Sequence, residues 1–266
     1  MAKTARLILL LVGAACSRAE TPAIPALARL TSEQEVSGAY RQGVARVEDG
    51  WIFSTNLALY RTDEGLRETV RNERAIPPEW ATRGYNHIGD IDVVAGIVYA
   101  PLEQPDFDEG RQAMFRYDAA TLQFLDGVEV EQHENSYVAV DPETLTAYTM
   151  DWFGGEAQLR YDVKAGWKPL PPLPMSRSVD KVQGADLARG ALWLSTDDDR
   201  DRLYRVRLPT GETDAIGSLG HVDGEAEGID ATELPSGLLH ALSIDAASLP
   251  VRFLHFALEP EAGGPP

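Results

Sequence analysis

The sequence predicts an all-β fold: a single β-propeller of five, or at most six, four-stranded blades closed by an N-terminal strand. Three observations predict it. Five segments repeat one pattern at a period near 44 residues, a spacing that suits one propeller blade. Apolar residues alternate by two along them, as in Trp51/Phe53, Val98/Ala100 and Leu192/Leu194, which is the period of a strand with one face in a core. Turn residues such as Thr62-Asp63-Glu64-Gly65 and Pro209-Thr210-Gly211-Glu212 follow the runs, as hairpins between antiparallel strands require.

The repeats follow one another as QGVARVEDGWIFST from Gln42, IGDIDVVAGIVYAP from Ile88, SYVAVDPETLTAYTM from Ser136, QGADLARGALWLST from Gln183 and EGIDATELPSGLLHAL from Glu227. An acid recurs at Glu48, Asp92, Asp141, Asp186 and Asp230, separated by 44, 49, 45 and 44 residues. A second landmark, an apolar residue before a basic one, recurs at Tyr60-Arg61, Phe115-Arg116, Leu159-Arg160, Tyr204-Arg205 and Leu254-His255. Each blade must bury its faces against its neighbours, so the ring has to close. After Leu258 only a Pro/Gly-rich tail remains, so residues around 31–40 are expected to supply the last outer strand. A closed ring of this kind is expected to be a monomer. The connectors at 102–112 and 243–250 are long and are expected to cap one face.

The domain reading is a signal peptide over residues 1–15, a tether over 16–30, the propeller over 31–258 and a disordered tail over 259–266. Lys3 and Arg6 precede the apolar run 7–12, and small residues follow, as in a secretory signal; the run is far too short to span a bilayer. The chain's one cysteine, Cys16, stands where cleavage would fall. Two alanines and a cysteine after a Leu-rich core resemble a bacterial lipobox, which implies lipidation at Cys16 and a membrane anchor, with an outer-membrane or periplasmic address. Gly13 stands where the lipobox prefers Leu, and cleavage after Ala19 would instead release the protein. No second cysteine is left for a disulfide, so packing must supply the stability.

The chain of 266 residues carries 24 Lys and Arg against 42 Asp and Glu, a formal charge of −18. Nucleic-acid binding depends on clustered bases that release counterions, so this balance argues against it. In a propeller, residues at one register of every inner strand converge on the channel mouth. That register gathers Tyr40, Arg41 and Gln42; Asn86 and His87, with Asp90 close by; Glu134, Asn135 and Ser136; Lys181 and Gln183; Glu225 and Glu227. Glycines follow at Gly43, Gly89, Gly184 and Gly228, where backbones must crowd.

Asp90, Glu134, Asn135, Glu225 and Glu227 are hard oxygen ligands of the kind calcium takes six to eight at a time. With a metal present, His87 is the candidate general base. Without one, Tyr40, Arg41, Asn86, His87, Asn135, Lys181 and Gln183 can hold a small polar ligand or a protein partner. A plain network of ion pairs through Arg41 and Lys181 accounts for the same residues.

The QGADLARGALWLST repeat is similar to the inner-strand motif of the gluconolactonase, paraoxonase and strictosidine-synthase-like calcium-dependent propellers. The resemblance implies a calcium ion and a lactonase or esterase activity. Its metal-binding Asp corresponds here to Gln183, and only Glu227 offers a carboxylate at that slot in the other repeats. The acids at 197–201 read as a solvated hairpin or a surface calcium site, His240 and His255 as strand or surface residues, and Trp51 and Trp193 as core. No nucleophile elbow, phosphate loop, dinucleotide fingerprint or zinc signature occurs. Two functions remain: an exported, anchored propeller that binds a polar ligand or partner at its channel face, and a calcium-dependent hydrolase acting there.

Overall fold

The computed structural model describes residues 27–220, 224–245 and 250–259. The signal, Cys16, most of the tether, the tail from 260 and the middle of the 243–250 connector lie outside them. The chain opens with β1 (Ala28–Val36). Blade 1 follows with β2 (Gly43–Val47), β3 (Gly50–Ser54), β4 (Leu59–Asp63) and β5 (Glu68–Asn72). Blade 2 has β6 (His87–Ile88), β7 (Asp92–Val94), β8 (Ile97–Glu103), β9 (Arg111–Asp118) and β10 (Phe124–Glu131), the first two being one inner strand broken in the middle. Blade 3 holds β11 (Ala139–Val140), β12 (Thr146–Thr149), β13 (Ala157–Asp162) and β14 (Lys168–Pro174). Blade 4 holds β15 (Val182–Ala188), β16 (Ala191–Thr196), β17 (Arg202–Arg207) and β18 (Glu212–Ser218). Blade 5 holds β19 (Gly224–Asp230), β20 (Leu238–Asp245) and β21 (Val251–Leu258).

Five blades form, and β1 completes the fifth by pairing antiparallel with β21, Ala28 opposite Leu258 and Val36 opposite Val251. The closing strand begins at Ala28, three residues before the expected propeller boundary, so the tether ends earlier than its composition suggested. Tight turns at Ala95-Gly96 and Arg189-Gly190, each with both residues at positive φ, join inner strands to their neighbours as the twist of a hairpin demands.

Apolar clusters fill the interfaces between blades. Val44, Trp51 and Phe53 of blade 1 meet Leu242 and Phe253 of blade 5, while Ile52 and Leu59 on the other face meet Ile88, Val98 and Phe115 of blade 2. Trp51 and Trp193 are both 5 % exposed, as a core role requires. No helix among the described residues is long and apolar enough to cross a membrane.

Three of the recurring acids clamp neighbouring blades together. Asp92 accepts the backbone N–H of Val140 at 2.6 Å, Asp186 that of Ala231 at 2.6 Å, and Asp230 that of Arg46 at 2.7 Å. Blades 2, 4 and 5 are thereby joined to blades 3, 5 and 1. Hairpin register puts Ala45 in the corresponding slot of blade 1. Burial pushes all three carboxyls upward, Asp186 to about 6 and Asp230, with Asp186 also repelling it, to about 8. Glu48 and Asp141 keep the period but miss the register: Glu48 is exposed, and Asp141 caps its own turn through the N–H groups of Glu143 and Thr144.

His240 and His255 lie beneath the closing strand where blades 5 and 1 meet. The Nε2–H of His240 donates to Glu233 at 2.9 Å, so its Nδ1 accepts from His255 Nδ1, 2.7 Å away. Gln34 of β1 reaches the far side of the His255 ring at 3.3 Å, and Arg46 of blade 1 donates to the other oxygen of Glu233 at 3.2 Å. The chain of bonds thus runs from the closing strand into blade 1.

Candidate functional site

The channel axis is occupied by Asp90. Its carboxylate accepts N–H groups from Val44 of blade 1 at 3.0 Å, from Ile91 of its own blade at 3.1 Å, from Ala185 of blade 4 at 3.1 Å and from Ile229 of blade 5 at 3.2 Å. Its backbone completes the set, donating to Ser136 at 2.7 Å and accepting from Val138 at 3.3 Å in blade 3. One fully buried residue therefore bonds to all five blades. Burial drives its carboxyl well above the ordinary range, against the pull of the N–H groups of Ile229, Val44 and Ala185.

Gly43, Gly184 and Gly228 make room for that carboxylate. A side-chain carbon at Gly184 would fall 2.6 Å from Asp90 Oδ2, and one at Gly43 would fall 2.8 Å from Oδ1. In blade 2 the residue at this level is Asp90 itself, which stands two residues before the clamping acid Asp92 as Gly184 and Gly228 stand two before Asp186 and Asp230. Gly89, expected in the glycine ring, instead packs on the backbone of Ser136.

One residue nearer the mouth stands a ring of Gln42, Gly89, Ser136, Gln183 and Glu227. Glu227 is its one carboxylate and is 2 % exposed. Burial, then the charge of Glu225, pushes it well above the usual carboxylate range, with Asp90 and Asp197 adding and Arg41 opposing. Its side chain meets Gln42 Nε2 at 3.5 Å, a long and weak bond. Gln42 also bonds His87 Nε2 through its oxygen. The other nitrogen of His87 lies 3.0 Å from Glu103, whose second oxygen accepts the N–H of Asn135 at 2.6 Å.

At the rim, Gln183 donates to Glu225 at 3.4 Å and Lys181 approaches Asp197 at 3.6 Å. Burial raises the Glu225 carboxyl, and Asp197 adds to the rise. Asn86 is exposed and opens, with His87, Glu103, Asn56 and the 104–107 loop, onto a cavity of about 230 Å³. That loop belongs to the long 102–112 connector, which does line the face it was expected to cap.

Four of the expected residues stand elsewhere. Tyr40 is 5 % exposed and stacks on Phe53 at 4.4 Å in the core between blades 5 and 1. Asn135 is fully buried, its amide spent on Ala113 O, Gln132 and Thr149. Glu134 holds the N–H of Phe153. Asp90 is sealed at the axis. The expected calcium set is not brought together: among the described residues no three His, Cys, Asp or Glu side chains are arranged to hold a metal ion. The run at 197–201 is more structured than a solvated hairpin, with Asp198 pairing Arg202 at 2.6 Å and burial pushing Asp201 up to about 7. Glu103 is silent in the sequence because its tie to His87 is cross-strand, between β6 and β8.

Comparisons with known proteins bear on the fold. No family model matches the chain, and no characterised protein sequence matches it significantly. Among solved structures, the glutaminyl cyclase of Myxococcus xanthus aligns with a TM-score of 0.66 at 13% identity, over 87% of this chain and 96% of that one. A chain of a mitotic checkpoint complex aligns at 9% identity over 88% of this chain and 72% of that one; its TM-score of 0.46 is too loose to argue from. The cyclase supports the propeller architecture over nearly its whole length.

Proposed function

We propose that the channel mouth binds a small polar molecule and carries out acid–base chemistry on it, with Glu227 as the group that gives and takes the proton. The observation that carries this reading is a buried carboxyl with a raised pKa and, among the described residues, a single long hydrogen bond, in a ring otherwise made of amides, a hydroxyl and glycine. A carboxyl whose proton is held more tightly than usual can donate it to a leaving group and recover one from a nucleophile. Gln42, Gln183 and Asn86 supply neutral donors and acceptors to orient the ligand, and Arg41 and Lys181 offer positive charge at the rim.

Cyclisation of an N-terminal glutaminyl residue makes one demand on the protein: a group that gives a proton to the departing ammonia and takes one from the attacking amine. Glu227 meets that demand, and the fold neighbour makes a glutaminyl peptide the first substrate to try. Wild-type protein is expected to release ammonia from a short peptide beginning with glutamine, and Glu227→Gln to be slower by about 100-fold or more. No release would remove the cyclase assignment. The wider reading fails if a panel of amines, amides and lactones gives no melting-temperature shift that depends on Glu227.

The address belongs to the same proposal and rests on residues 1–19 alone. In a bacterial host, Cys16→Ser is expected to move the protein from the membrane fraction to the soluble periplasm. An unchanged distribution would favour simple cleavage after Ala19.

A further inference from the structure

Gln42 hydrogen-bonds both His87 and Glu227, and an amide has two unlike ends. With its oxygen toward His87, the ring must donate from Nε2, and the amide N–H then faces the Glu227 carboxylate. The opposite ring nitrogen faces the Glu103 carboxylate at 3.0 Å and needs a proton as well. In this arrangement the His87 and Glu103 pair holds the additional proton and Glu227 is bare. With the amide turned over, its N–H points at a lone pair on Nε2, His87 is neutral, and the amide oxygen faces Glu227. Two oxygens then oppose each other unless Glu227 is protonated. Rotation about the last torsion of a glutamine side chain is soft, so both arrangements are open to the same backbone.

We propose that Gln42 is an amide switch that shares one proton between His87 and Glu227, two groups that it bridges by hydrogen bonds. Moving the proton from one to the other turns the amide over and leaves the total charge unchanged. Arg41, Glu225, Asp90 and Asp197 act on Glu227, and Glu225 interacts with His87, by charge alone. They set the balance between the two arrangements and do not transmit it. The inference deepens the reading of Glu227 as the acid–base group, naming Gln42 as the positioning residue that keeps a proton available at the mouth. A site of this kind accepts a proton from a ligand at one end and offers one at the other.

The test needs no substrate. The ring nitrogens of His87 and the carboxyl carbon of Glu227 are followed by NMR from about pH 4 to about pH 9, the range across which a histidine normally changes charge. In the wild type both nuclei are expected to show a common midpoint, each with partial amplitude, because both report the same proton. In Gln42→Leu the midpoints are expected to separate and each curve to reach full amplitude. Glu227→Gln, whose amide suits either orientation of Gln42, is expected to remove the partial step from His87 and decides the same question if Gln42→Leu does not fold. Separate, full-amplitude curves in the wild type would overturn the switch, and so would a common midpoint that survives Gln42→Leu. A protein inert toward every ligand tested yet showing the common midpoint would refute the proposed function and leave the switch standing.

Discussion

Asp90→Ala is expected to lower the free energy of unfolding by about 3–5 kcal/mol, read from chemical denaturation. Four backbone N–H groups from blades 1, 2, 4 and 5 converge on this one carboxylate. Alanine leaves all four buried without a partner, each at a cost of about 1–3 kcal/mol, offset in part by no longer burying a carboxyl. The three facing glycines cannot fill the space. Asp90→Asn keeps the volume and one oxygen but turns an NH₂ group toward donors, and an intermediate loss of about 1–3 kcal/mol is expected. A change below about 1 kcal/mol for the alanine variant would mean that the axis readily takes up water in place of the carboxylate.

Acid is the second strong lever. Burial, reinforced by the charge of His255, lowers His240 from 6.5 to about 4. The folded protein therefore binds fewer protons at this site than the unfolded chain between those values. Stability from His240 is present above about pH 6.5, falls as the pH drops toward 4, and stays lost below it. The full difference is about 3 kcal/mol. His255, also lowered by burial, acts in the same direction. Protonating His240 at Nδ1 sets two N–H groups against each other across 2.7 Å, with Arg46 adding further positive charge nearby. Asp186 and Asp230 run the other way, since their raised values favour the folded state as the pH falls from about 8. The measurement is therefore the gap in unfolding free energy between wild type and His240→Phe, which is expected to shift against the wild type over the pH 6.5 to 4 window. A gap independent of pH would remove the histidine from the account.

The architecture was legible because a propeller writes itself locally: period-two strands, turn residues and a recurring acid all survive in a sequence read alone. The acid at Asp92, Asp186 and Asp230 even marks a real inter-blade bond. What periodicity hides is register. In blade 2 the glycine stands three residues before the clamping acid instead of two, so Asp90 takes the axial level that the motif suggests for Gly89. In blade 3 the regular inner strand shrinks to Ala139–Val140, so Glu134 and Asn135 no longer point where their spacing suggests. Tyr40 is adjacent to the mouth in sequence, yet its ring is drawn into the core against Phe53. Gln42, His87, Lys181, Gln183, Glu225 and Glu227 do gather at one end, because all precede the inner-strand segment of their blade that packs on the axis. Glu103 depends on its cross-strand pairing with His87, which spacing along the chain does not show.

The sealed axis also dictates traffic. A ring with an open bore has two doorways, so a molecule can enter at one face and depart at the other. Asp90 turns this bore into a blind well. Whatever reaches Glu227 from solution leaves by the way it came, so arrival and departure exclude each other in time. In the proposed acid–base function, any proton Glu227 exchanges with solution would pass through that same opening.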